Sequence, residues 1–226
     1  MFAIVGSGEY LPPMQAVDRE LLALLGPAPR VVCVPTAAGT EGDIMIDSWM
    51  RRGVEHFAAL GAESYGSRIW DNATANDPDL AALISSADLV YLSGGRPNHL
   101  HSALQSSLAW KAVLEVTDRG GLLVGCSAGA MIQGELFVGR TGRHDGFGLW
   151  PDVVVIPHFD EIPTAIAAAM RKAAGKSRVV VGVNGNTALI DIDGTYRVVG
   201  DEITIWSSAD KHTFGPGDVP AELLRP

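Results

Sequence analysis

The run GLLVGCSAGA (residues 121–130) leads a wholly apolar stretch into G-x-S-x-G and then into helix-forming residues. A tight strand-to-helix turn of this kind lifts a serine hydroxyl above a sheet, beside free helical N–H groups that stabilise negative charge. Ser127 is therefore a candidate nucleophile. Its competing role is an ordinary helix N-cap. Cys126 is the stronger nucleophile as a thiolate, but it occupies the residue before Ser127 and is expected to point down into the core. A second strand-to-turn run, DLVYLSGGRPN (88–98), offers the backbone N–H groups of Gly94 and Gly95 to an oxyanion, with Pro97 suited to a first helical turn. The bland reading of that glycine pair is a βα turn. A third run, VVVIPHFD (153–160), puts His158 just past a buried-looking strand, where an imidazole can take the proton of Ser127. The other histidines fall in helical stretches (His56, His99, His101) or in polar loops (His144, His212).

The orienting acid is open. Asp145, in the polar loop 139–148, keeps the order serine, acid, histidine, and Glu135 is its rival. Each is equally readable as a solvated carboxylate. Asp160 follows His158 by two residues and is carried as a substrate contact, with Gly94. Arg140 and Arg143 are candidates to grip a substrate carboxylate through bidentate hydrogen bonds, and Glu9 to receive a substrate amine. Gly6-Ser7-Gly8 fails as a dinucleotide fingerprint because position 11 is Leu, and no P-loop is present. No cofactor is assigned. No metal is assigned either, since His99 and His101, two apart on a helix, do not face one site.

These residues need a scaffold that brings strand ends together. Continuous Val- and Ile-rich runs at 2–5, 31–34, 89–92, 122–124, 153–156 and 179–181 predict strands covered on both faces, hence a mostly parallel α/β sheet. Helices are expected over 14–25, 43–60, 77–86, 99–116, 128–135 and 163–174. The runs TALIDI, TYRVVG and EITIW, separated by Asp193-Gly194 and Gly200-Asp201, predict antiparallel strands finishing the sheet edge. With 226 residues and no linker or repeat, one domain spanning 1–226 is expected. Hydrophobic residues at 47% exclude disorder as the main state, and 17 Lys plus Arg against 26 Asp plus Glu remove the electrostatic source for nucleic-acid binding. The first apolar stretch is too short for a membrane span or a secretory leader, and Cys33 and Cys126 read as buried thiols. A cytoplasmic protein without membrane partners is expected.

Taken together, IVGSGEYLPP, VPTAAGT, DLVYLSGGRPNHL, GLLVGCSAGAMIQGE, GLWPDVVVIPHFD and NTALIDIDG resemble, in this order, the dipeptidase E and cyanophycinase family of serine peptidases, peptidase family S51. The resemblance implies a class I glutamine amidotransferase-like fold, with Ser127 as nucleophile, His158 as catalytic histidine, and Gly95 with the N–H of Ala128 as the oxyanion hole. It further implies hydrolysis of a small aspartate-containing peptide; for the subunit count, a monomer and a homodimer are both left open. Serine at the elbow, where related amidotransferases carry cysteine, disfavours glutaminase activity. The chain departs from its relatives at 182–189: where they commonly read G-I-D-E-x-T-A-L, it has Asn184 and Gly185 in place of the two acids. The same acyl chemistry serves esters, which makes a broad serine esterase one alternative, and the missing acids make a non-catalytic binding or scaffold protein another.

Overall fold

A computed structural model describes residues 1–139, 141–175, 179–207 and 210–224. The chain first alternates strands and helices: β1 (Phe2–Val5), α1 (Met14–Ala23), β2 (Arg30–Val34), α2 (Asp43–Ala59), β3 (Glu63–Gly66), α3 (Asn72–Ala75), α4 (Pro78–Ser85), β4 (Leu89–Leu92), α5 (Pro97–Leu104), α6 (Leu108–Asp118), β5 (Leu122–Cys126) and the single turn α7 (Ala128–Met131). There follow β6 (Leu136–Gly139), β7 (Gly142–Asp145), β8 (Val153–Ile156) and α8 (Thr164–Ala174). The chain then runs through β9 (Val179–Val183), β10 (Ala188–Ile192), β11 (Thr195–Val199), β12 (Ile203–Ser207), β13 (Asp210–Phe214) and β14 (Gly217–Val219).

The main sheet has the order β14-β11-β10-β1-β5-β4-β2-β3. From β3 to β1 every pairing is parallel; β10, β11 and β14 add antiparallel strands at the far edge. The expected Asp193-Gly194 turn joins β10 to β11 with both residues at positive φ, 51° and 89°, as a two-residue hairpin turn with the twist of its strands requires. One face of the sheet, with Ala3, Val5, Cys33, Tyr91, Val124 and Cys126, packs on α1 and α2 through Met14, Val17, Leu21 and Phe57. The other face is shared. Val32, Val90, Leu92 and Leu123 meet α4 and α6, whereas Ile4, Leu189 and Val198 meet a second sheet. The result is an α/β fold with a mixed, mostly parallel central sheet and flanking helices.

Several expectations need correction. The runs at 153–156 and 179–181 are strands, but they pair with each other in a separate sheet of order β13-β12-β9-β8. A wholly apolar strand fits either sheet equally, so its partner is a tertiary choice. The EITIW strand likewise joins β9 and β13 rather than the main edge. The expected helix over 99–116 is two helices, broken where Ser106 turns to φ 58° and the Ser107 hydroxyl caps α6 by accepting from the Trp110 N–H at 3.0 Å. Finally, the loop 139–148 contains β7, and the helix after Ser127 is one turn long. Among the described residues no helix is long and apolar enough to cross a membrane.

Candidate active site

Parallel neighbours end at the same edge of a sheet, so the segments after β1, β5 and β4 lie side by side. In the middle is the elbow. Gly125 and Gly129 let strand and helix close upon one another: a Cβ on Gly125 would stand 2.2 Å from the Gly129 carbonyl oxygen, and one on Gly129 would stand 2.4 Å from that of Leu92. Ser127 is forced to φ 51°, ψ −107°, a conformation that costs a side-chain-bearing residue roughly 1–3 kcal/mol. It is held there because its N–H donates to the Val5 carbonyl at 3.0 Å and its own carbonyl accepts from the N–H groups of Ala130 and Met131.

The serine hydroxyl caps no helix N–H. It lies instead 3.0 Å from Nε2 of His158. His158, itself at φ 52°, opens a turn in which its carbonyl accepts from the N–H groups of Glu161 and Ile162. That turn folds Glu161 back, so its Oε2 lies 3.0 Å from His158 Nδ1. An ionised carboxylate only accepts; Nδ1 therefore carries the hydrogen, and Nε2 of the neutral ring is left to accept from Ser127. Glu161 is oriented in turn by the buried Ser7, whose hydroxyl donates to Oε1 at 3.0 Å. The bonds to His158 and to Ser7 hold the Glu161 carboxyl below its ordinary range.

Around this relay, Gly95 is exposed at φ 140°, a conformation that favours glycine. Among the described residues, the N–H groups of Gly95 and Ala128 have no protein acceptor. Cys126 is fully buried below the elbow, and desolvation, followed by the nearby Glu9 charge, pushes its thiol well above the usual value. Its thiolate is thereby suppressed. Among the described residues no group of three or more His, Cys, Asp or Glu is arranged to hold a metal ion.

Residues 2–199 match peptidase family S51. The chain belongs to that family. A peptidase from an acI-B1 actinobacterium is similar to it at 30% identity, with a TM-score of 0.87 over 96% of this chain and 95% of that one. A putative peptidase E protein from Listeria monocytogenes EGD-e shares the fold at 17% identity and a TM-score of 0.59, over 95% of this chain and 97% of that one. No curated protein matches.

Within this S51 chain, the two expected acids are not at the imidazole. Asp145 is exposed on β7, opposite Leu136 in the β6–β7 pair, where its charge faces His101. Glu135 is exposed before β6, near Gly148. The helix after Ser127 is short, ending at Met131, yet the carboxylate at His158 is that of Glu161. Asp160 is spent locally, its Oδ1 accepting from the Gly185 N–H at 2.7 Å. Glu9 accepts from the Gly94 N–H at 2.8 Å, so one of its oxygens is already taken. Arg143 is exposed on β7 without an ion pair among the described residues, and Arg140 lies outside them.

Glu161 and Ser7 are the residues that sequence reasoning missed. Their signals were weak: a carboxylate three residues after the histidine, and a glycine-flanked serine at the end of β1. The structure also accounts for the departure at Gly185. A Cβ there would point between Ser7 Oγ (3.0 Å), Glu161 Oε1 (3.4 Å) and Asp160 Oδ2 (3.5 Å). A side chain at 185 would enter the space that Glu161 occupies. Arg96, directly after Gly95, is a further exposed guanidinium with no ion pair among the described residues.

Proposed function

We propose that this S51 chain is a serine-type hydrolase cleaving small aspartate-containing peptides through an acyl-enzyme. The observation that carries the reading is the linear contact from Ser127 Oγ through both nitrogens of His158 to Glu161, at 3.0 Å on each side. His158 Nε2 accepts the serine proton as Oγ attacks the peptide carbonyl, and the imidazolium that forms is stabilised by the Glu161 charge at Nδ1–H. The N–H groups of Gly95 and Ala128 receive the developing oxyanion. Nε2–H then protonates the departing amine, and His158 next deprotonates a water that attacks the ester carbonyl. Collapse of the second tetrahedral species releases the carboxylic acid and returns the proton to Ser127 Oγ.

The preference for an acidic substrate is supported by the family resemblance and by Arg96, an exposed guanidinium directly after Gly95. Ser127→Ala is expected to abolish turnover of an aspartyl dipeptide, a fall of about a thousandfold or more, with the fold intact. Unchanged turnover would overturn the nucleophile. Selective cleavage of a small aryl ester by the wild type would replace the peptidase with an esterase. Failure of Ser127 to react with a serine-directed phosphonate would favour a non-catalytic protein.

A further inference from the structure

We propose that Glu9 is a positioning residue for the oxyanion site, fixing the Gly94–Gly95 turn so that the Gly95 N–H stays free and turned toward Ser127. The proposal rests on Ser127 being the nucleophile. Four consecutive N–H groups follow β4. Ser93 donates to the Val34 carbonyl at 3.3 Å, Gly94 to Glu9 Oε1 at 2.8 Å, and Arg96 to the Ala37 carbonyl at 2.9 Å. Only the Gly95 N–H among them has no acceptor in the described residues. The turn is thus bound on both sides of the one group left for a ligand.

The clamp on Gly94 differs from the other two because it comes from a side chain 85 residues away. Gly94 is wedged between that side chain and the nucleophile: a Cβ on it would stand 2.3 Å from Glu9 Oε1 and 3.0 Å from Ser127 Cβ. Two adjacent glycines carry no side chain to resist a peptide flip. Without Glu9, the Gly94 N–H becomes a second orphan donor, and the 93–94 peptide, which anchors the 94–95 peptide from one side, loses its fixed orientation. A bare carboxylate beside an oxyanion would oppose catalysis. Here its charge is spread onto the Gly94 N–H and faces the Cys126 thiol, which stays protonated. A role in binding a substrate amine needs the charge of Glu9; a role in holding Gly94 needs only an acceptor oxygen.

Glu9→Gln and Glu9→Ala separate the two. Glutamine keeps an acceptor for the Gly94 N–H and removes the charge; alanine removes both. Three readouts are taken on the whole protein: hydrogen exchange of the Gly94 amide, the rate of Ser127 phosphonylation by a fluorophosphonate, and hydrolysis of an aspartyl dipeptide and its N-acetylated form. Glu9→Ala is expected to speed Gly94 exchange about tenfold or more. It should slow phosphonylation and kcat about 10- to 100-fold, below the loss for removing an oxyanion donor outright, and on both substrates, with KM little moved. Glu9→Gln is expected to stay within a few-fold of wild type in all three. Unchanged Gly94 exchange in Glu9→Ala overturns the proposal. So does an effect confined to KM of the free-amine substrate, or a Glu9→Gln variant as impaired as Glu9→Ala. If the wild type proves as inert to phosphonate as Ser127→Ala, the hydrolase reading fails by itself, and the exchange data still decide whether Glu9 holds the turn.

Discussion

In the proposed mechanism Glu161 does two things to His158: it fixes the tautomer that leaves Nε2 as acceptor, and it supplies the charge that stabilises an imidazolium. Its side chain is 56% exposed, so solvent screens that charge, and Glu161→Gln is expected to lower kcat by roughly tenfold to a hundredfold rather than more. The space beside Gly185 allows a stronger test. A glutamate there points at the vacated position, so Glu161→Ala with Gly185→Glu is expected to recover part of the kcat that Glu161→Ala loses; no recovery would show that the position at 185 cannot serve His158. The pH profile is also constrained. The Glu161 carboxyl is held below its ordinary range, so the native state favours its charged form. Its contribution to stability is present above the ordinary glutamate value and is lost as pH falls through the lowered one. Glu161 therefore stays ionised above the ordinary glutamate range, and log kcat/KM is expected to show no protonation of this carboxylate above about pH 5. A limb above about pH 5 that Glu161→Gln removes would mean that the carboxyl is protonated there instead. This acid was not legible in the sequence. Finding it required knowing that His158 adopts positive φ and turns the chain back within three residues, whereas Ser127 and His158 advertise themselves by standing at the ends of apolar runs.

At the scale of elements, the elbow depends on a close approach between β5, α7 and the end of β4. Gly129→Ala drives a Cβ to 2.4 Å from the Leu92 carbonyl oxygen, and backbone cannot yield as a flexible side chain can. The variant is expected to lose about 1–3 kcal/mol of stability in urea unfolding and, below its transition, to react with a serine-directed phosphonate at least about tenfold more slowly. A normal reaction rate would mean that the elbow absorbs the change without moving Ser127. The sequence foretold this turn because glycine at both ends of G-x-S-x-G has one steric meaning. It foretold the strands for a related reason: a buried parallel strand must be apolar on both faces. What it left open was which strands pair. Val153–Ile156 and Val179–Val183 look no different from the strands of the main sheet, yet they build a second one, and it is this second sheet that presents His158 across from Ser127.

For the molecule as a whole, the proposed nucleophile Ser127 stands on a core that holds buried titratable groups. Tyr10, Cys33, Tyr91 and Cys126 lie together on the face covered by α1 and α2, and burial is the first cause of a raised pKa at each of them. Cys33 moves from an ordinary 9.0 to about 12. An acid raised on folding binds its proton more tightly in the native state. Its contribution is therefore complete below the unfolded pKa and is lost as pH rises toward the folded one. Between about pH 9 and 12, unfolding releases a proton that the native Cys33 thiol retains, so stability falls by about 1.4 kcal/mol per pH unit for each thiol in this state. Urea midpoints are expected to decline steadily from about pH 9 upward, and Cys33→Ala is expected to flatten that decline, with further flattening from Cys126→Ala. The same burial predicts inert thiols. At pH 8 the folded protein is expected to leave both cysteines unmodified by a thiol reagent on a timescale at which urea-unfolded protein reacts at both. Rapid native labelling of Cys126 would mean that the layer under the elbow opens to solvent. The dry support assigned to Ser127 would then be wrong, and a cysteine nucleophile beside the serine would become chemically available.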